Sequence, residues 1–127
     1  MKHILIIILC GLGFTSSAMD KDSTKKEYLG VLTVTEKYRD DKNWTKADQA
    51  VVGEHFQRLT RYKNDGVVVL AGRTQYESNN PDLIGIVIFY AKDDKEALQF
   101  MMDDPAVKNK IMLAKVHPYA IALNKCD

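Results

Sequence analysis

The chain has 127 residues and a formal net charge of +1, which leaves no strong field of either sign to gather nucleic acid or anionic lipid. Its two cysteines stand at positions 10 and 126. The first falls in a segment expected to be removed, so a disulfide framework is excluded and the core must hold the fold alone.

Residues 1–18 read as a signal peptide. Lys2 and His3 make a weakly basic start, Ile4 to Phe14 is almost wholly apolar, and Ser16-Ser17-Ala18 supplies the small residues of a cleavage site. The apolar run is too short to span a bilayer, which needs about 20 residues. An uncleaved anchor or a buried first strand is the alternative. Ile8-Leu9 lacks the small residue usual just ahead of a lipidated cysteine, so Cys10 is not expected to carry lipid. Removing 18 of 127 residues leaves 109, an exported single domain, periplasmic or secreted, with a formal net charge of zero once Lys2 is gone and no further attachment to a membrane. A chain of that size buries about two-thirds of its unfolded surface.

Residues 19–27 are a polar lead-in, and 28–123 make the domain. Tyr28 to Tyr38 reads as a strand, with Leu32 and Val34 facing one way and Val31, Thr33 and Thr35 the other. A charged loop, 39–44, leads into an amphipathic helix over 45–66. Thr45 with Asp48 forms a capping box at its start, and Asn64-Asp65-Gly66 is its stop. Val51, Val52, Phe56 and Leu59 give the helix an apolar stripe, and His55 sits at the border of that stripe as the one ionisable group carried toward the core.

A second strand, 67–71, runs into Gly72-Arg73 and a polar loop closing at Asn79-Asn80-Pro81-Asp82. The third strand, 83–91, is apolar on both faces. Asp93 and Glu96 cap a second helix whose apolar side is Ala97, Leu98 and Met101. Asp103-Asp104-Pro105 breaks it, and Pro105 opens a further short turn. Residues 111–123 supply the last strand, interrupted at Pro118 by an edge or a bulge. Residues 124–127 are a tail in which nothing is arranged to activate Cys126.

The order β-α-β-β-α-β is that of a ferredoxin-like α+β sandwich, with both helices on one face of an antiparallel sheet. Val67-Val68-Val69-Leu70 and the third strand offer apolar side chains to both faces. A lone copy would leave one such face wet, so a homodimer packed sheet against sheet is expected. Loops or the C-terminal segment folded over that face are the alternative.

From His55 onward the chain resembles the YCII-related family of small dimeric α/β-barrel proteins. The matching features are His55 followed by Leu59, Gly66 ahead of a short strand, Ala71-Gly72 at its end, and Asp104-Pro105 with Val107 after the second helix. The likeness covers about residues 28–123. The family pattern usually continues Ala-Gly with proline, where this chain has Arg73, and the aromatic common after Asp-Pro is here Ala106. The resemblance implies a histidine–aspartate catalytic pair, carried onto His55 and Asp104. It also implies a likeness to barrels of the muconolactone-isomerase type.

Chemistry gives that pair a use. Histidine exchanges protons near neutrality, and a carboxylate can hold one imidazole tautomer and stabilise its charged form. The alternative is a histidine satisfied at the core edge and an aspartate that only caps the turn Pro105 opens. Arg73, at a strand end, could bind a substrate carboxylate or stand solvated. His117-Pro118-Tyr119 could line the same cavity, although strand-edge packing accounts for it, as packing does for Met101-Met102. The spacing of histidines and carboxylates suggests no metal site. No glycine-rich phosphate loop or nucleophile motif implies a cofactor or a covalent intermediate. Two classes remain: a cofactor-independent enzyme doing proton transfer on a small organic acid, of isomerase or lyase type, and a non-catalytic module binding a small ligand or a protein.

Overall fold

The computed structural model describes residues 24–125, so the expected signal segment and Cys126 lie outside the described residues. The long helix, α1 (Lys46–Asn64), begins where its cap requires. The Thr45 hydroxyl accepts from the Asp48 N–H, and the Asp48 carboxylate accepts from the Thr45 N–H at 3.0 Å and the Thr45 hydroxyl at 2.8 Å. Those two bonds, the N–H first, hold the Asp48 carboxyl below its ordinary 3.8. The Tyr38 hydroxyl and Lys37 add to the effect against some opposing burial. The helix ends in a Schellman motif: Gly66, at φ 75°, donates to the Lys63 carbonyl and Val67 to that of Tyr62.

Among the described residues four strands, β1 (Lys26–Val34), β2 (Val68–Arg73), β3 (Gly85–Ala91) and β4 (Met112–Pro118), form one antiparallel sheet in the order β2-β3-β1-β4. With α1, α2 (Asp94–Met102) and the short α3 (Pro105–Lys108) between strands, this is the ferredoxin-like arrangement. Tyr28, Leu32, Val87, Phe89 and Val68 line the sheet's inner face and bury against Leu59, Ala97 and Met101. Gly30 lies among them because a Cβ there would come within 2.6 Å of Met101. At the α2 end the buried Tyr28 hydroxyl donates to Asp94 at 2.8 Å. Burial first, then that bond and the charges of Asp94, Asp93 and Glu96, pushes its pKa up to about 12.

Several boundaries differ from the sequence reading. β1 starts at Lys26 and stops at Val34. Thr35 turns the chain by bonding to Ile111 and Lys110, and Tyr38 enters a short 3-10 turn to pack on Trp44. Pro118 ends β4; beyond it Tyr119 and Ile121 bond to Glu27 without extending the strand. Phe56 and Leu98, placed on apolar stripes, are exposed at 70% and 50%. Arg58 is buried instead, so His55 is not the only ionisable group that α1 carries inward.

One irregularity bears on the site. Val68 of β2 pairs with Phe89, and Leu70 pairs with the very next residue, Ile88, so Val69 is an extra residue in a β-bulge. The side-chain alternation slips by one. Ala71 and Arg73, opposite Val87 and Gly85, therefore turn to the inner face.

Candidate functional site

The site grows from a repeat on α1. His55, Arg58, Leu59 and Tyr62 follow the i, i+3, i+4, i+7 spacing of a single helix face, so two ionisable side chains point toward the core together. Opposite them α2 stops at Asp103, and Asp104 is the N-cap of α3. Pro105 occupies the first helical position and has no N–H to offer. Asp104 Oδ1 accepts from the next amide, that of Ala106, at 2.9 Å. This leaves Oδ2 for the groups on α1.

His55 Nδ1 lies 2.7 Å from Asp104 Oδ2. The two alternatives raised for Asp104, cap and histidine partner, are thus both realised, one on each oxygen. A carboxylate that accepts at both oxygens requires the proton on His55 Nδ1, so in the neutral ring Nε2 carries the free lone pair. Arg58 Nη1 stands 3.6 Å from the same Oδ2, an ion-pair distance without a hydrogen bond. Its Nη2 donates to the Phe100 carbonyl at 2.7 Å, and the guanidinium lies over the rings of Phe100 and Tyr62 at 4.4 and 4.9 Å. Such stacking suits arginine's flat, weakly hydrated cation.

A cavity of about 430 Å³ opens beside this cluster, between α1 and the inner face of the sheet. Its size falls in the ordinary range for small-molecule sites. Val52, Phe56 and Leu59 of α1, Leu32 and Val34 of β1, Val87 of β3 and Met112 of β4 make its walls apolar. His55 and Arg73 are the titratable side chains among its lining residues. Phe56, exposed yet lining the cavity, stands at its mouth.

The structure therefore brings His55 and Asp104 into contact and puts His55 and Arg73 on one cavity. Asp104, only 2% exposed, does not line it and lies behind the imidazole. The two side chains do not share a solvent-reachable pocket. His117 pairs across from Leu29 on the outer sheet face, away from this cavity. Among the described residues no group of three or more His, Cys, Asp or Glu side chains is placed to hold a metal ion. Arg58 escaped the sequence reading, although its place in the 55, 58, 59, 62 repeat, four residues ahead of Tyr62, was a usable sign.

Residues 30–118 match the model of the YCII-related domain, a span that includes every residue of the site. No curated protein matches the chain.

Proposed function

The chain belongs to the YCII-related domain family, and from that premise we propose that it is an exported, cofactor-independent enzyme that shifts a proton on a small organic acid. In this reading Arg73 holds the substrate carboxylate and the apolar walls hold its carbon skeleton. His55 Nε2 removes a proton from an acidic carbon. The electron pair left behind moves into the adjoining π-system, and the same proton returns at another carbon, which is isomerisation. If the pair instead expels a leaving group, the reaction is an elimination. Asp104 keeps the proton on Nδ1 and offsets the charge the imidazole gains. The observation that carries the reading is the 2.7 Å His55–Asp104 contact set directly behind the wall of an apolar cavity.

Deuterium uptake from heavy water tests it. The protein incubated with a panel of small unsaturated carboxylic acids is expected to label at least one of them at carbon. His55→Ala should abolish the label, and Arg73→Ala should raise the acid concentration needed. Acids that bind without exchange, in a protein unaffected by His55→Ala, would leave the alternative of a non-catalytic binding module. The capping use of Asp104 favours that alternative, since it accounts for the aspartate without chemistry.

Export rests on the apolar run 4–14 and Ser16-Ser17-Ala18. A homodimer through the outer sheet face is part of the same proposal. Leu29 and Val31 of β1 lie there opposite Ile88 and Ile86 of β3, with Leu70 and Leu113 about half exposed beside them. Light scattering should give twice the monomer mass, and a monomer at micromolar concentration would refute the pairing.

A further inference from the structure

We propose that Arg58 is a positioning residue that keeps His55 neutral, its buried guanidinium balancing Asp104 so that the imidazole meets the cavity as a base and not as an imidazolium. The use of that state rests on the proton-transfer reading above, while its test does not.

Asp104 is withdrawn from water and needs a counter-charge. Among the described residues, two groups at its Oδ2 can supply one, His55 and Arg58. With His55 alone, the favoured state would be a carboxylate–imidazolium pair, whose ring has already taken its proton and cannot act as a base. Arginine keeps its charge at any accessible pH, so its presence removes that demand. The geometry divides the work between the two. Arg58 is fixed by things other than Asp104: the Phe100 carbonyl on Nη2 and the two aromatic faces. Its Nη1 stops at 3.6 Å, giving charge without a hydrogen bond, and the 2.7 Å contact is left to His55 Nδ1.

One further charge at the ring, on β2, acts in the same sense. Arg73 of β2 lines the same cavity, and a second cation there disfavours an imidazolium until an anion arrives. Among the cavity's lining residues, β1, β3 and β4 bring no titratable group. From α2 comes the Phe100 carbonyl, already taken by Arg58. Arg58 also lines a recess of about 290 Å³ with Lys25, Glu96 and Asp103, so on that side one cation and two carboxylates share its surroundings. With His55 neutral, Asp104 and Arg58 cancel. With His55 protonated, the buried cluster would hold a net positive charge against apolar walls.

The test reads the His55 ring nitrogens by NMR at neutral pH, assigned against His55→Gln. The parent should show a neutral ring with the proton on Nδ1. In Arg58→Met the major species should become the imidazolium. Arg58→Lys, which restores a cation, should return the neutral ring. Arg58→Met with Asp104→Asn, which leaves no anion to balance, should also be neutral. An imidazolium in the parent, or a neutral Nδ1–H ring in Arg58→Met, overturns the proposal. If Arg58→Met does not fold, the parent and the double variant still decide, because both are charge-balanced and an imidazolium in either refutes the balance. Absence of any deuterium exchange would remove the proposed reaction and leave these ring states unchanged, so the two failures are distinguishable.

Discussion

Replacing Asp104 separates its two uses, because asparagine keeps a capping oxygen and loses the charge. In Asp104→Asn the Ala106 amide retains its acceptor, while the buried Arg58 loses the carboxylate beside its Nη1. A unit pair near 4 Å interacts by about 4 kcal/mol at an effective dielectric of about 20. Breaking a buried pair by removing one partner typically costs about 3–5 kcal/mol. Asp104→Asn should therefore lose about 3–5 kcal/mol, and Asp104→Ala about 1 kcal/mol more as the α3 cap goes as well. Set against the roughly 5–15 kcal/mol of an ordinary domain, either loss brings the fold near its threshold. Adding Arg58→Met to Asp104→Asn should recover most of the deficit, since no unpaired charge remains. Urea denaturation gives the values, provided the slope with denaturant stays constant across variants. An Asp104→Asn loss below about 1 kcal/mol, unchanged by the second substitution, would show that Arg58 finds its compensation elsewhere and that the charge account of the site is wrong.

Two further predictions address the scaffold. Tyr28 holds its proton to about 12 when folded against an ordinary 10, so the unfolded chain ionises first and this group's stabilisation is lost as pH rises through that interval. Tyr28→Phe should flatten the fall in stability over the same range, measured by denaturation at each pH, and an equally steep fall would contradict the assignment. Gly30→Ala should cost about 1–3 kcal/mol, because the new carbon meets the buried Met101, whereas Gly53→Ala, with nothing within 4 Å and a helix to favour it, should gain about 0.5–1 kcal/mol. Equal effects at the two glycines would mean that backbone entropy, not packing, decides both.

Much of this was legible because local chemistry fixed it. The Thr45–Asp48 box, the Gly66 stop and the Asp104-Pro105 break are each set by backbone groups that must find partners within a few residues, so sequence alone locates them. The exposure of Phe56 was not legible, since periodicity says which way a side chain points and not whether a cavity lies beneath it. Arg58 was passed over because of its residue type: nothing singles out a charged side chain as buried until its partners are known, and they come from α2 and the turn after it, more than 40 residues on. The bulge was hidden for a different reason. In Val67-Val68-Val69-Leu70 every register presents an apolar residue to the core, and only the pairing with Phe89 and Ile88 reveals the slip.

That slip and the proline break solve a common problem, which is how to turn charge inward without stranding it. Without the extra residue in β2, Arg73 would follow the regular alternation onto the outer sheet face, and the cavity would have lost its cation. With a non-proline residue at position 105, one more amide would compete for the Asp104 carboxylate, and Oδ2 would be less free for α1. Proline removes that donor and also favours the extended backbone that Asp104 adopts, at φ −65° and ψ 133°, as a helix cap. The carboxylate is thereby placed by the chain before it meets His55, and the 2.7 Å contact does not have to create its own geometry. A site built this way is part of the fold's own hydrogen bonding. Its chemistry can then be altered at Arg73 with the frame intact, whereas a change at Asp104 or Arg58 breaks the buried pair, and one at Asp104 that keeps no capping oxygen loosens α3 as well.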